Sequence, residues 1–207
     1  MKVLLVNGSP HTAGCTYTAL REAADELERC GVETEIFCIG TEPITGCRAC
    51  LACRKLGKCI IDDKVNEFLG KAEKADGFIF GSPVHYAGVC GSMTSFMDRV
   101  FYAKPKDLFR LKPGACVVSA RRAGTTAALD QMNKYLTISE MPVISAKYWN
   151  MVHGSCPDDV RRDEEGMQMM RILARNMAWF LKCKEAAEKA GVTLPEDEPK
   201  TATNFIR

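Results

Sequence analysis

No stretch of this 207-residue sequence stays apolar over the roughly 18 residues that a membrane-spanning helix requires. Its first residues also lack the basic segment and long apolar run of a secretory signal. A large excess of one charge is missing too, since 28 lysines and arginines accompany 26 aspartates and glutamates. A net charge of +2 is too small to suggest nucleic acid as a partner. We therefore expect a cytoplasmic protein without membrane or nucleic-acid partners.

Cysteine, in contrast, is abundant, with 11 residues in the chain. In a reducing compartment, a disulfide framework is the less favoured explanation for so many cysteines. Four of them lie together in segment 46–60 with the spacing C-x2-C-x2-C-x5-C, as Cys47, Cys50, Cys53 and Cys59. The others are scattered among small or apolar neighbours, where a thiol can act as a small hydrophobic group.

The chain begins with a short apolar run that changes abruptly into a small, hydroxyl-rich loop. Val3 to Val6 predict a buried parallel strand, and apolar side chains recur at helical spacing from Thr16 to Leu27. The loop therefore joins the carboxyl end of a strand to the amino end of a helix. Free backbone N–H groups and the helix dipole favour an anion there, which predicts a phosphate site.

Two common phosphate-binding loops are absent from this position. The loop of nucleoside triphosphatases needs four residues between its glycines, but Gly8 and Gly14 are separated by five and Cys15 follows. The Gly-x-Gly-x-x-Gly loop of dinucleotide-binding proteins is also missing. A monophosphate held by hydroxyls and amides remains, as in sites for flavin mononucleotide (FMN). A plain strand-to-helix turn is the open alternative.

The rest of the chain repeats this alternation of strand and helix, which is typical of a parallel sheet covered on both faces. Further strands are predicted at 32–37, 78–80, 115–119 and 143–149. With five strands, the best prediction is a flavodoxin-like α/β three-layer sandwich of strand order 2-1-3-4-5. It would occupy residues 1–190, with the cysteine-rich loop 46–60 inserted and a loosely ordered tail at 191–207.

In this strand order, the loops after the first, third and fourth strands meet at one edge of the sheet. A ligand binds there, outside the carboxyl ends of the strands. All three loops are polar, and they lie at residues 7–16, 81–89 and 120–126. Their predicted convergence supports a binding crevice more strongly than any single loop does.

The cysteine spacing favours an iron–sulfur centre. Four thiolates satisfy one [4Fe–4S] cluster, and two-residue gaps allow successive thiolates to turn around a compact inorganic core. The segment also contains four cations that offset negative charge, namely Arg48, Arg54, Lys55 and Lys58. A zinc site and redox-active thiols without metal are the open alternatives.

Several of these residues resemble one known family. They are Gly8-Ser9-Pro10 with Gly14-Cys15-Thr16, the four clustered cysteines, Asp62-Asp63, Ser82 to Tyr86 and Phe96 to Arg99. Over residues 1 to about 155 the chain resembles the flavodoxin-like NAD(P)H-dependent FMN reductases, and within them the iron–sulfur flavoproteins. The resemblance implies bound FMN, a [4Fe–4S] cluster, NAD(P)H as an electron donor, and a homodimer or homotetramer.

The resemblance also implies positions for the FMN. Its phosphate would contact Ser9, His11, Cys15, Thr16 and Tyr17. Its isoalloxazine ring would lie against two later loops, at Pro83, Val84, His85, Tyr86, Ala87, Gly88, Ala120, Arg121, Arg122 and Gly124. Arg121 and Arg122 either attract the flavin or the phosphate of a nicotinamide nucleotide, or form a solvated face. His11, His85 and the later His153 are either flavin contacts or solvated loop residues.

These features predict a redox flavoprotein that passes electrons between a reduced donor, FMN and a [4Fe–4S] cluster. Its redox partner would be a small molecule or a ferredoxin-like protein. No catalytic residue is predicted, because the flavin itself carries the chemistry. Two alternatives stay open: a cluster-free NAD(P)H-dependent reductase of flavin, quinones or nitro compounds, and a non-enzymatic module that responds to metal or redox state.

Overall fold

In the residues that the computed structural model describes, 1–105, 108–199 and 201–203, strands and helices alternate along the chain. The strands are β1 (Lys2–Asn7), β2 (Glu33–Cys38), β3 (Gly77–His85), β4 (Gly88–Val89), β5 (Gly114–Ala120) and β6 (Met151–His153). The helices are α1 (Cys15–Arg29), α2 (Cys53–Leu56), α3 (Lys64–Ala72), α4 (Gly91–Ala103), α5 (Thr125–Thr137), α6 (Pro157–Arg162) and α7 (Glu164–Lys189).

Five of the strands form the predicted parallel sheet. Their order is β2-β1-β3-β5-β6, which is the expected 2-1-3-4-5 when the short β4 is set aside. The additional strand β4 has two residues and pairs with β3 in the antiparallel sense. Residues 32–37 alternate between polar and apolar side chains, which is typical of a half-exposed strand, and β2 lies at an edge of the sheet. The flavodoxin-like fold class is confirmed.

Each face of the sheet is covered by its own apolar cluster. Leu4 and Val6 of β1 pack into a cluster with α3, α4 and α5, and Val3 and Leu5 pack into a second cluster with α1 and α7. This division follows from the pleat, because alternate side chains of a strand point to opposite faces. Near the carboxyl terminus, Met170, Leu173 and Met177 lie on the buried face of α7.

The structure corrects the predicted last strand. It was expected at 143–149, but the strand that pairs with β5 is β6, at Met151–His153. Val143 makes only an isolated bridge to Gly114, while Tyr148 and Trp149 are exposed and pack edge to face. Aromatic residues are typical of strands, but these two rings pack on each other at the surface.

The third strand also differs from its prediction. Instead of ending before Gly81, β3 pairs with β5 as far as Pro83 and continues to His85. A turn at Tyr86 and Ala87, both with positive φ, then leads into β4. The predicted loop 81–89 is therefore largely a β-hairpin, and positive φ at both turn residues is the geometry that fits a tight hairpin.

The predicted tail lies partly outside the described residues, which exclude 200 and 204–207. Residues 192–199 and 201–203 form neither helix nor strand and are exposed. Arg110 contacts this segment, since its guanidinium donates a hydrogen bond to the carbonyl of Pro195 at 3.2 Å. The division into a domain at 1–190 and a tail stays a prediction. Within the described part of the chain, no helix is long and apolar enough to cross a bilayer.

Phe68 provides a test of the core. Its ring is fully buried and packs against those of Phe37, Phe78, Phe80 and Phe96. Phe68→Ala should lower the free energy of unfolding by about 3–5 kcal/mol, because a cavity replaces these contacts.

Denaturant unfolding measures this effect, with Ile138→Ala as the matched control. Ile138 is 78% exposed, so its truncation should change stability by no more than about 0.5 kcal/mol. Equal losses in the two variants would contradict this assignment of the core.

Candidate functional site

The loop between β1 and α1 has the features of an anion site. Helix α1 begins after Gly14, where no side chain caps the helix and no acidic residue occupies the first turn. The N-cap residue therefore supplies no side-chain acceptor for the first N–H groups, and no first-turn carboxylate neutralises the positive end of the helix dipole. An open pocket adjoins this helix end, and the loop contributes Pro10, His11, Thr12, Ala13, Gly14 and Cys15 to its wall.

Two hydroxyls predicted to bind phosphate also hold the loop in place. Ser9 is buried, and its Oγ accepts a hydrogen bond from the backbone N–H of His11 at 3.1 Å. Thr16 is buried as well, and its Oγ1 lies 2.8 Å from Oγ of Ser119 at the end of β5. These contacts fix the loop against the sheet. The five proposed phosphate contacts stay predictions, with His11, Cys15 and Tyr17 more accessible than Ser9 and Thr16.

The opposite wall of this pocket was missed by the sequence analysis. It is formed by Ser155 and Cys156 of the loop after β6 and by Pro157, the first residue of α6. The two walls are in contact, because the Cys15 thiol lies 3.7 Å from the carbonyl of Gly154. Burial, together with the neighbouring Cys156, raises the pKa of the Cys15 thiol. Once β6 is known to follow β5 in the sheet, its trailing loop must reach the same edge, but the strand had been predicted too early.

The two loops predicted to hold the flavin ring also come together. A Cβ added at Gly124, in the loop after β5, would lie only 2.4 Å from Cα of Ala87 at the hairpin tip. Gly124 also has φ +90°, a conformation that favours glycine. His85, Tyr86 and Ala87 are exposed at this tip. Pro83, Val84 and Gly88 are partly buried, Ala120 is buried, and Arg121 and Arg122 are exposed.

Hydrogen bonds join these loops along the carboxyl edge of the sheet. Gly8 N–H donates to the carbonyl of Gly81 at 2.8 Å, and the Cys90 thiol donates to the carbonyl of Gly8 at 3.3 Å. Ser82 accepts from the N–H of Cys90, the residue that precedes α4. The start of α4 is thereby fixed to the proposed flavin loops. His153, at the end of β6, is near this edge and contacts Asp163, with Nδ1 3.8 Å from Oδ2.

The four clustered cysteines line one pocket. Cys47 and Cys50 are exposed, whereas Cys53 and Cys59 are partly buried. Cys53 begins the one-turn helix α2, and its thiol lies 3.8 Å from the carbonyl of Tyr102 on α4. The remaining wall contains two arginines and several apolar residues, namely Arg48, Arg99, Leu51, Ile60, Ile61, Tyr102 and Ala103. None of the chain's cysteines, all of which are described, forms a disulfide.

Left-handed backbone occurs on both sides of Cys50. Ala49 has φ 50° and Leu51 has φ 59°, although neither is glycine. Such conformations are unfavourable for residues with a Cβ and tend to persist at functional sites. Here they turn the chain sharply enough for three cysteines in seven residues to face one pocket.

Cys59 is held by side chains from two helices. Asn66 of α3 clamps its backbone, accepting from the N–H at 3.0 Å and donating to the carbonyl at 2.9 Å. The sulfur of Cys59 accepts hydrogen bonds from Nε and Nη2 of Arg99 at 3.3 and 3.2 Å. Asp63 pairs with the same guanidinium and also caps α3 by accepting from the N–H of Val65.

Arg99 and Asn66 were not among the predicted site residues. Burial works to lower the pKa of Arg99, but hydrogen bonds from its guanidinium to Asp63 and Cys59 outweigh this effect and hold the pKa above its usual value. The arginine therefore stays charged. Asp63 and Arg99 did appear in the motifs that resemble the reductase family, which was the signal available in the sequence.

Comparison with known proteins identifies the family. The sequence model described as NADPH-dependent FMN reductase matches residues 1–155. An iron–sulfur flavoprotein of Methanocaldococcus jannaschii is 32% identical over 88% of this chain and 98% of its own length. A second one from that organism is 31% identical over 83% of this chain and 92% of its own length. The chain belongs to the NADPH-dependent FMN reductase family, and within it to the flavodoxin-like iron–sulfur flavoprotein branch.

Solved structures agree on the fold. RosB, determined with bound 8-demethyl-8-formylriboflavin-5'-phosphate, superposes with a TM-score of 0.68 at 14% identity, covering 100% of this chain and 94% of that one. Identity this low supports the fold alone. Family membership makes the chain an FMN-binding oxidoreductase or electron-transfer flavoprotein.

Gly124 allows a test of the predicted ring site. Gly124→Ala should raise the dissociation constant for FMN at least tenfold, because the added Cβ clashes with Ala87 and is strained at positive φ. Fluorescence titration of the apoprotein with FMN measures this constant.

Gly91→Ala is the matched control, since a Cβ there would have no heavy atom within 4 Å. Its FMN affinity should equal that of the wild type. Unchanged affinity in the Gly124 variant would show that the ring lies elsewhere.

Proposed function

We propose that this protein transfers electrons between a reduced donor, FMN and a [4Fe–4S] cluster bound by Cys47, Cys50, Cys53 and Cys59. The observation that carries the proposal is the single pocket lined by all four thiols and flanked by a buried guanidinium. Four cysteines are the ligand set of such a cluster, and nearby cations offset its negative charge. The names of the related iron–sulfur flavoproteins are consistent with this assignment.

The spacing of the cysteines favours a polynuclear centre over a single zinc ion. Zinc is usually bound by two pairs of ligands separated by a longer spacer, and three cysteines at successive two-residue gaps fit that pattern poorly.

The residues around the carboxyl edge suit FMN. The uncapped start of α1 provides N–H donors for a phosphate, and the exposed His11 adjoins the same pocket. The hairpin tip and the loop at Gly124 are adjacent and provide walls for a flat ring. Bound together, the two cofactors would exchange electrons in pairs at the flavin and singly at the cluster.

Helix α4 connects the two proposed cofactor sites. Its amino end is fixed to the flavin loops through Cys90, and Arg99 and Tyr102 on the same helix reach the cysteine pocket. From Gly91 to Arg99, the helix rises about 12 Å at its usual 1.5 Å per residue. One rigid element therefore sets the position of the cysteine pocket relative to the flavin loops.

The electron donor and partners belong to the same proposal. NAD(P)H is the proposed donor, in line with the family description, and a small molecule or ferredoxin-like protein is the proposed redox partner. We propose a homodimer or homotetramer in the cytoplasm. Positioning of the ring by the loops is the role given to the protein, without a general acid or nucleophile.

The family description favours a second candidate, an NADPH-dependent FMN reductase without a cluster. The two candidates are separated by protein purified without oxygen and assayed for FMN, iron and acid-labile sulfide. We expect one FMN and about four irons and four sulfides per chain. Bound FMN without iron, even after anaerobic reconstitution, would support the cluster-free reductase instead. Absence of FMN binding would favour the non-enzymatic module.

Cys50→Ser provides a finer test of the ligands. The variant should lose most of its iron while keeping its FMN, because Cys50 lines the cysteine pocket and belongs to none of the three proposed flavin loops. Metal analysis and the flavin spectrum of the same sample give both values.

Cys183→Ser is the matched control, because Cys183 is an exposed thiol on α7 outside the pocket. It should keep full iron. Equal iron content in both variants would overturn the ligand assignment.

A further inference from the structure

Arg99 is the largest fully buried side chain of the protein's described residues, with 1% of its surface exposed. A buried cation is costly unless it is paired and its donors have acceptors. Asp63 provides part of this compensation by accepting from Nη1 and Nη2 at 2.5 and 2.9 Å. Backbone carbonyls of Thr45 and Ile61 accept further hydrogen bonds.

The remaining donor, Nε–H, points to the sulfur of Cys59, which also accepts a bond from Nη2. A neutral thiol is a weak acceptor, so it would form only weak hydrogen bonds with these two N–H groups. A metal-bound thiolate is an anion and forms charge-assisted hydrogen bonds. The contact therefore suits Cys59 in its role as a ligand.

We infer that Arg99 is a positioning residue that raises the reduction potential of the cluster through its contact with Cys59. The inference rests on the proposed function, because it requires the cluster in the cysteine pocket. Reduction by one electron adds one negative charge to a centre already bound by four thiolates. A fixed guanidinium touching one of these ligands favours that added charge, and hydrogen bonds to the sulfurs are an established influence on cluster potentials.

Asp63 should act in the opposite direction. Its carboxylate accepts from Nη1 and Nη2 of the same guanidinium and partly neutralises its charge. Removing this negative charge while leaving Arg99 in place should favour the reduced cluster. An asparagine at position 63 can still accept the hydrogen bond from Val65 that caps α3, so the helix start is retained.

The other cations of the segment should contribute less. Arg48, Arg54, Lys55 and Lys58 are exposed, where solvent and salt screen their charge. Among the described hydrogen bonds, those from an arginine to the sulfur of a clustered cysteine come from Arg99 and reach Cys59. Burial and direct contact therefore distinguish Arg99 from its neighbours.

The test is a reductive titration of the anaerobically reconstituted full-length protein. Dithionite is the one-electron reductant, and paramagnetic resonance follows the reduced cluster. Arg99→Gln should shift the reduction equilibrium about tenfold toward the oxidised form, which is about 59 mV for one electron. Asp63→Asn should shift it toward the reduced form. Arg54→Gln is the matched control for loss of an exposed charge and should match the wild type.

Opposite shifts in the Arg99 and Asp63 variants support the inference. A purely structural role would lower iron content or thermal stability in both, without shifts of opposite sign. If Arg99→Gln does not fold, the inference is tested with Arg99→Lys and Asp63→Asn. A lysine keeps the positive charge but not the forked set of donors, so the potential of the cluster should fall less in Arg99→Lys than is expected for Arg99→Gln. Wild-type potentials in the variants that bind full iron would overturn the inference.

Iron analysis of the wild type separates this inference from the proposed function. A wild-type protein without iron after reconstitution overturns the cluster, and the role of Arg99 with it. A loaded wild type with unshifted variants overturns the role of Arg99 alone and leaves the cluster in place.

Discussion

Burial of both faces of the parallel sheet is the constraint on which the rest of the structure depends. Five residues of β1 are fully or almost fully buried, and the strand pairs with β2 on one side and β3 on the other. Parallel pairing leaves the carboxyl ends of the strands at one edge. The candidate site residues therefore lie on loops that begin at the carboxyl ends of the strands.

Helix α4 extends this constraint to the cysteine segment. Its buried face packs against the sheet through Met93, Phe96, Met97 and Val100, while Arg99 is turned toward Cys59 and Asp63. A helix packed in this way has little freedom to rotate. The guanidinium is consequently held in place by the core, and the exposed cysteine loop acquires one fixed point from a buried element.

Much of the fold could be predicted because apolar runs and glycine-containing turns mark the strands directly. The parallel order followed from the alternation of elements, and the edge position of β2 from its polar alternation. The last strand could not be placed this way, because Tyr148 and Trp149 look like strand residues but pack on each other. The hairpin at 83–89 was missed because Gly-Ser-Pro signals a turn even where β5 extends the pairing.

The candidate site, like the fold, could be predicted only in part. Clustered cysteines and hydroxyl-rich loops are visible in the sequence because chemistry and spacing are local. Arg99 is different: a charged residue within an apolar helix pattern suggests a solvent-facing position, and its burial depends on Asp63, which is 36 residues away. Ser155 and Cys156 depend likewise on where β6 joins the sheet. Contacts between distant segments of the chain are what the local pattern leaves out.

The position of the cysteine segment outside the two apolar clusters has a consequence for how the protein matures. Cys47 and Cys50 contribute nothing to the core, and Cys53 and Cys59 only pack against its margin. The chain can thus acquire its native sheet and helices before any inorganic group is inserted. Insertion of the proposed cluster would then be a late step on a scaffold that is already folded.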